Sequence, residues 1–101
     1  MATVLVTAAA VEDVDRLIET HRLPPTARAR IRARLRQLEP FPYSGAALGG
    51  RWTPARRLDG PWPWMLFVYD VDDDADTVTI LTAQDARTSF AAQLRDSAHD
   101  R

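Results

Sequence analysis

With 101 residues, 46% of them hydrophobic and 27% charged, the chain has the make-up of one soluble domain with a single core. It contains no cysteine, which excludes a disulfide framework and a thiolate metal site. The formal net charge of −1 conceals a division: ten arginines stand against two glutamates between residues 16 and 57, and three arginines against nine aspartates from residue 58 onward.

Every basic side chain is Arg, whose planar fork suits phosphate or carboxylate. The basic segment therefore offers a surface to an acidic partner. No apolar run approaches the length of a membrane span. The first residues lack the basic start and long apolar region of a signal peptide, so a cytoplasmic location is expected.

Thr3-Val4-Leu5-Val6 reads as a first strand, and Thr7 as the N-cap of a helix from Ala8 to about His21. Val11, Val14, Leu17 and Ile18 give that helix an apolar stripe, with Glu12 and Asp13 assigned to its first turn. Leu23-Pro24-Pro25 breaks it. Thr26 is expected to cap a second helix to about Leu38. There Ala27, Ile31, Leu35 and Leu38 form one stripe, and Arg28, Arg32 and Arg36 share a flank. The short link between the helices predicts an antiparallel hairpin.

Residues 41 to 51 read as a loop anchored by Leu48, and Trp52 to Leu58 as a weaker strand in which Pro54 marks either its start or a sheet edge. Trp64 to Val71 is the longest apolar run and the predicted central strand. Alternation sends Trp64, Leu66 and Val68 to one face and Met65, Phe67 and Tyr69 to the other. An acidic turn at Asp72–Asp76 leads to a strand over Thr77–Ala83, with Val78 and Ile80 on one face. Gln84 to Arg87 leads to a short helix capped near Thr88 or Ser89. A polar tail, residues 96–101, follows a domain spanning 1–95. The fold class is α+β in the order β-αα-βββ(α): an antiparallel sheet meander with a helical hairpin packed on one face.

This order, together with Thr7-Ala8-Ala9-Ala10, Gly45…Leu48-Gly49-Gly50, Arg57-Leu58, Phe67-Val68-Tyr69-Asp70-Val71-Asp72 and Asp85-Ala86-Arg87, resembles the RelE/ParE superfamily of bacterial type II toxins over about residues 3–92. The resemblance implies a toxin that arrests growth and is neutralised by a cognate antitoxin. RelE-type members cut messenger RNA in the ribosomal A site, using basic residues on the sheet and a C-terminal Tyr or His. ParE-type members poison DNA gyrase. Leu66 stands where RelE-type members commonly carry Arg, Asp85 replaces a possible His, and the C-terminal segment has no Tyr. These departures tilt the expectation towards a ParE-like action on gyrase or an undetermined toxic action, with gyrase slightly ahead. If the chain is an enzyme, the resemblance implies a ribosome-dependent mRNA endonuclease.

The expected catalytic residues are Arg56, Arg57 and Arg87, and Arg51 joins them in a target-binding patch. Trp52, Trp62 and Trp64, with Arg28, Arg32 and Arg36, are the expected partner-binding set. The arginine flank of the second helix reads first as the solvated face of an amphipathic helix; where it has a role, antitoxin docking and a nucleic-acid contact are equally expected. The alternating Asp70, Asp72, Asp74 and Asp76 lack the Gly and Glu of a calcium loop. His21 and His99 look isolated, so neither a metal nor a cofactor is expected. Tyr69 is expected in the core with its hydroxyl satisfied. The alternative to a toxin is a non-catalytic interaction module on the same fold.

Overall fold

The computed structural model describes residues 1–87. The expected helix around residues 88–95 and the polar tail lie outside them. Strand β1 (Thr3–Val6) leads into helix α1 (Ala8–Thr20), followed by α2 (Ala27–Arg36). Then come β2 (Ala46–Ala47), a 3-10 turn (Gly50–Trp52), β3 (Arg56–Asp59), β4 (Met65–Asp72) and β5 (Thr77–Asp85). The five strands form one sheet in the order β1-β5-β4-β3-β2. Strands β3, β4 and β5 are the antiparallel meander the sequence predicts, and β1 adds to β5 in parallel.

Strand β4 is central because both its faces are apolar. Met65, Phe67 and Tyr69 pack with Leu58, Val78 and Ile80 under the two helices, which contribute Ile31, Leu35 and Leu38 from the α2 side and Val14, Leu17 and Ile18 from α1. Leu66 and Val68 lie on the opposite face with Leu48, Ala55 and Ala86, against Trp52 and Leu81. The stripe Ala27, Ile31, Leu35 and Leu38 is buried throughout, so the alternating Ala-Arg sequence is helical as its propensities require. Tyr69 is fully buried, and its hydroxyl accepts the Gly45 N–H at 3.0 Å.

Helix α1 completes the outer edge of β5 beyond the end of β1. Thr7 caps the helix by accepting from the Ala10 N–H at 3.1 Å, and its hydroxyl donates to the carbonyl of Ile80 at 3.0 Å. Asp13 takes up the Ala83 N–H at 3.2 Å and the Thr82 hydroxyl at 2.6 Å. Side chains of the helix thus satisfy backbone groups that a neighbouring strand would otherwise satisfy.

Several local expectations are corrected. Glu12 and Asp13 lie beyond the first turn of α1, which holds no acidic residue. Thr26 makes no side-chain cap, because it is already helical in its backbone, and the Pro24 carbonyl accepts the Ala27 N–H instead. Helix α2 ends at Arg36, two residues early. The predicted loop contains β2, which pairs Ala46 and Ala47 with Arg57 and Arg56. Trp52 belongs to the 3-10 turn, and β3 begins only at Arg56. Gln84 and Asp85 extend β5 because they pair with Leu66 and Met65. Trp64 precedes β4 and packs with the helix-side cluster, so strand alternation does not govern it.

Candidate functional site

The four expected target-binding arginines do not form one patch. Arg56 and Arg57 are adjacent on β3, so they project to opposite faces of the sheet. Arg56 pairs in register with Tyr69 and Arg57 with Val68, which belong to the two different cores. Arg56 is occupied structurally: its Nη2 donates to the carbonyls of Gly45 at 2.7 Å and Tyr43 at 3.1 Å, and its guanidinium lies over the Tyr43 ring. Arg57 sits on the face away from the helices. Its Nε is buried without a hydrogen bond and approaches Asp59 only to 3.8 Å. Arg51 lies on the 3-10 turn with its guanidinium over Trp52.

Arg87 follows β5 and is exposed, but it is not an unengaged cation. Its Nε and Nη2 grip the two oxygens of Asp85 at 3.0 and 2.9 Å, and its backbone N–H adds a third bond at 2.9 Å. The Arg87 hydrogen bonds hold the Asp85 carboxyl far below the usual carboxylate range. The second Asp85 oxygen also meets Nε2 of His21 at 3.1 Å. The His21 ring stacks on Trp64 with centroids 3.9 Å apart and planes 21° from parallel. Trp64 stacks in turn towards Trp62 at 6.3 Å, and Arg30 lies 4.4 Å above Trp62. Trp62 and Trp64 are therefore half-buried members of a ladder in which His21 and Arg30 cover ring faces.

His21 is thus not isolated. Nothing in the sequence around it signals this, because Asp85 lies 64 residues away. The contact arises because α1 runs beside β5: Thr7 meets Ile80, Asp13 meets Ala83, and His21 meets Asp85 in turn. Among the described residues no group of three or more potential metal ligands comes together. No helix among them is long and apolar enough to cross a membrane.

A third feature lies on the other side of the helical hairpin. Val6, Val11, Val14, Ile31 and Leu35 line an open apolar groove of about 180 Å³, with Arg28 and Arg32 at its rim. Val6 and Val11, both in this lining, are more than 40% exposed, which is unusual for such side chains grouped on one surface. Arg28 pairs with Asp15 across the hairpin at 2.7 Å. Arg36 is exposed in the last turn of α2.

No family model and no curated protein matches the chain. Solved structures do match its fold. A mutant of the E. coli toxin RelE in its free state has a TM-score of 0.63 and 18% identity, covering 93% of this chain and 94% of that one. The Mycobacterium tuberculosis RelBE2 toxin–antitoxin complex gives 0.62 at 24% identity, covering 83% and 90%. A conserved hypothetical protein of Helicobacter pylori gives 0.58 at 25% identity, covering 84% and 94%. The chain therefore has the RelE-like toxin fold that its order of elements suggested.

Proposed function

We propose that the chain is the toxin of a type II toxin–antitoxin pair, neutralised when a segment of the antitoxin fills the groove between α1, α2 and β1. The observation that carries this reading is an apolar groove with a basic rim, on a fold shared with toxins solved together with their antitoxins. The fitting segment is apolar on one side and acidic at its flanks, where it meets Arg28 and Arg32, with Arg36 extending the same basic flank. Such a segment is disordered alone and orders on docking. Expression should arrest growth, and co-expression of the product of the neighbouring gene should relieve the arrest. Normal growth with the soluble chain confirmed in the cell would rule the reading out. A Val11→Glu variant should stay toxic and escape neutralisation.

Of the two targets the resemblance raises, we favour messenger RNA on the ribosome over DNA gyrase. The end of β5 gathers a histidine, a carboxylate and an arginine within bonding distance, groups suited to phosphodiester chemistry. Poisoning gyrase requires binding alone. Arg57, on the face away from the helices, and Arg51 then contact backbone phosphates away from the cut, and Arg87 serves the reacting phosphate. Pulse labelling minutes after induction tests the choice: amino-acid incorporation should stop before thymidine incorporation. The reverse order makes gyrase the target.

A second reading is favoured by Asp85, which already grips Arg87: an interaction module without toxic chemistry. In that case replacing Arg57 and Arg87 by Ala leaves the biological effect intact.

A further inference from the structure

We propose that His21 is the proton-transfer residue for cleavage of an RNA phosphodiester, with Asp85 positioning its ring and Arg87 beside them to meet the phosphate. The proposal rests on the messenger-RNA reading above and assigns the residues that would perform it.

The ring of His21 is held in two ways. Trp64 covers one face at a stacking distance of 3.9 Å, and Asp85 engages Nε2 at 3.1 Å. Asp85 is ionised, so it accepts and Nε2 donates. That fixes the tautomer and leaves Nδ1 with the lone pair that takes a proton. The carboxylate is itself fixed by the three bonds from Arg87. A base oriented by a carboxylate that is oriented in turn is the arrangement from which general bases act.

A packing role alone does not explain these residue types. An apolar side chain at position 21 would cover Trp64 equally well and would not require a largely buried carboxylate opposite it. The group also stays within reach of a ligand: the side chain of His21 is 20% exposed and that of Arg87 is 64% exposed. Arg87 carries five N–H donors and spends two of its side-chain nitrogens on Asp85, so donors remain for a phosphate oxygen.

The reaction balances without a cofactor. The ribose 2′-oxygen attacks the adjacent phosphorus, forming the 2′-O–P bond while the P–O5′ bond breaks. The 2′-hydroxyl proton passes to Nδ1 of His21, and the imidazolium, stabilised by Asp85, returns it to the departing 5′-oxygen. The products are a 2′,3′-cyclic phosphate and a free 5′-hydroxyl, with His21 regenerated.

The test is cleavage of a defined messenger RNA on purified ribosomes, with cut sites mapped by primer extension, for the unaltered chain, His21→Phe, His21→Asn and Asp85→Asn. His21→Phe keeps an aromatic ring for Trp64, and His21→Asn keeps an N–H for Asp85, so at least one variant preserves the local packing. Thermal melts establish which variants are folded. In the folded ones, loss of His21 should lower the cleavage rate by about 100-fold or more. Asp85→Asn should lower kcat and leave KM unchanged, as expected of a residue that positions the base rather than binding the RNA. Cleavage by a folded His21 variant within about threefold of the unaltered chain overturns the proposal alone. Failure of the unaltered chain to cleave overturns the messenger-RNA reading and the proposal with it.

Discussion

Asp13 and Ala83 are joined by a hydrogen bond from the Ala83 N–H to the Asp13 carboxylate, 3.2 Å long and 70 residues apart in sequence. It attaches the middle of α1 to the outer edge of β5, where β1 no longer reaches. The same oxygen accepts the Thr82 hydroxyl. Replacing Asp13 by Ala leaves the Ala83 N–H without its partner in a half-buried setting and should destabilise the fold by about 1–3 kcal/mol. Asp13→Asn retains an acceptor oxygen and should lose less. Urea denaturation of the two variants checks the order. Equal losses would show that the charge, rather than the acceptor, matters.

Gly45 gives a sharper expectation. A Cβ placed on it lies 2.4 Å from the Arg57 carbonyl and 2.6 Å from the Tyr69 hydroxyl, and the carbonyl is backbone of β3 that cannot swing away. Gly45→Ala should destabilise by about 3 kcal/mol through overpacking. Tyr69→Phe removes only the hydroxyl that accepts the Gly45 N–H, and its effect should be about 1–2 kcal/mol. The ranking is read from chemical denaturation, and a tolerated alanine at 45 would mean that the β2 segment moves freely.

What the sequence displays and what it hides differ by range. Phe67 and Tyr69 alternate with Leu66 and Val68 inside one strand, so the two-faced central strand is legible from four adjacent residues. The Ile31 and Leu35 stripe is legible for the same reason, since helical spacing is local. Ala46 and Ala47 have no strand character of their own and become β2 only by pairing with β3. Trp64 misleads because alternation holds only within a strand, and it stands one residue before β4. The arginine pair at 56 and 57 reads as one basic patch, whereas a strand divides neighbours between faces. The contact of His21 with Asp85 depends on how far α1 runs along β5, a tertiary relation with no local signal.

The Asp85 carboxyl makes the stability depend on pH. Its folded pKa lies below its unfolded value, chiefly through the hydrogen bonds from Arg87. Its contribution is therefore fully present above the ordinary carboxylate range and declines as pH falls below it towards the folded value. Asp85→Asn should be less stable than the unaltered chain at pH 7. The margin should shrink as pH falls below about 4. Denaturation midpoints across this range test the expectation, and a margin that widens in acid would contradict the assigned sign.

Arg56 and Arg57 offer the clearest separation of structure from function, because adjacent residues on β3 carry the same side chain in opposite settings. Arg56 donates to the Gly45 and Tyr43 carbonyls and covers the Tyr43 ring, so it ties the segment before β2 to the sheet. Arg56→Ala should lower stability by about 1–2 kcal/mol, since it removes these bonds from partly buried carbonyls. Arg57 makes no hydrogen bond through its buried Nε, and its removal relieves that unsatisfied group. Arg57→Ala should leave stability within about 0.5 kcal/mol, or raise it slightly. Its effect should fall on toxicity instead, because a desolvated cation on the sheet face away from the helices gains most when a phosphate arrives to pair with it. Melting temperature and growth arrest measured on both variants give a crossed pattern: Arg56→Ala unstable, Arg57→Ala stable and weakened in toxicity. A stable, fully toxic Arg57→Ala would remove this residue from the target-binding surface, leaving Arg51 and Arg87 to carry it.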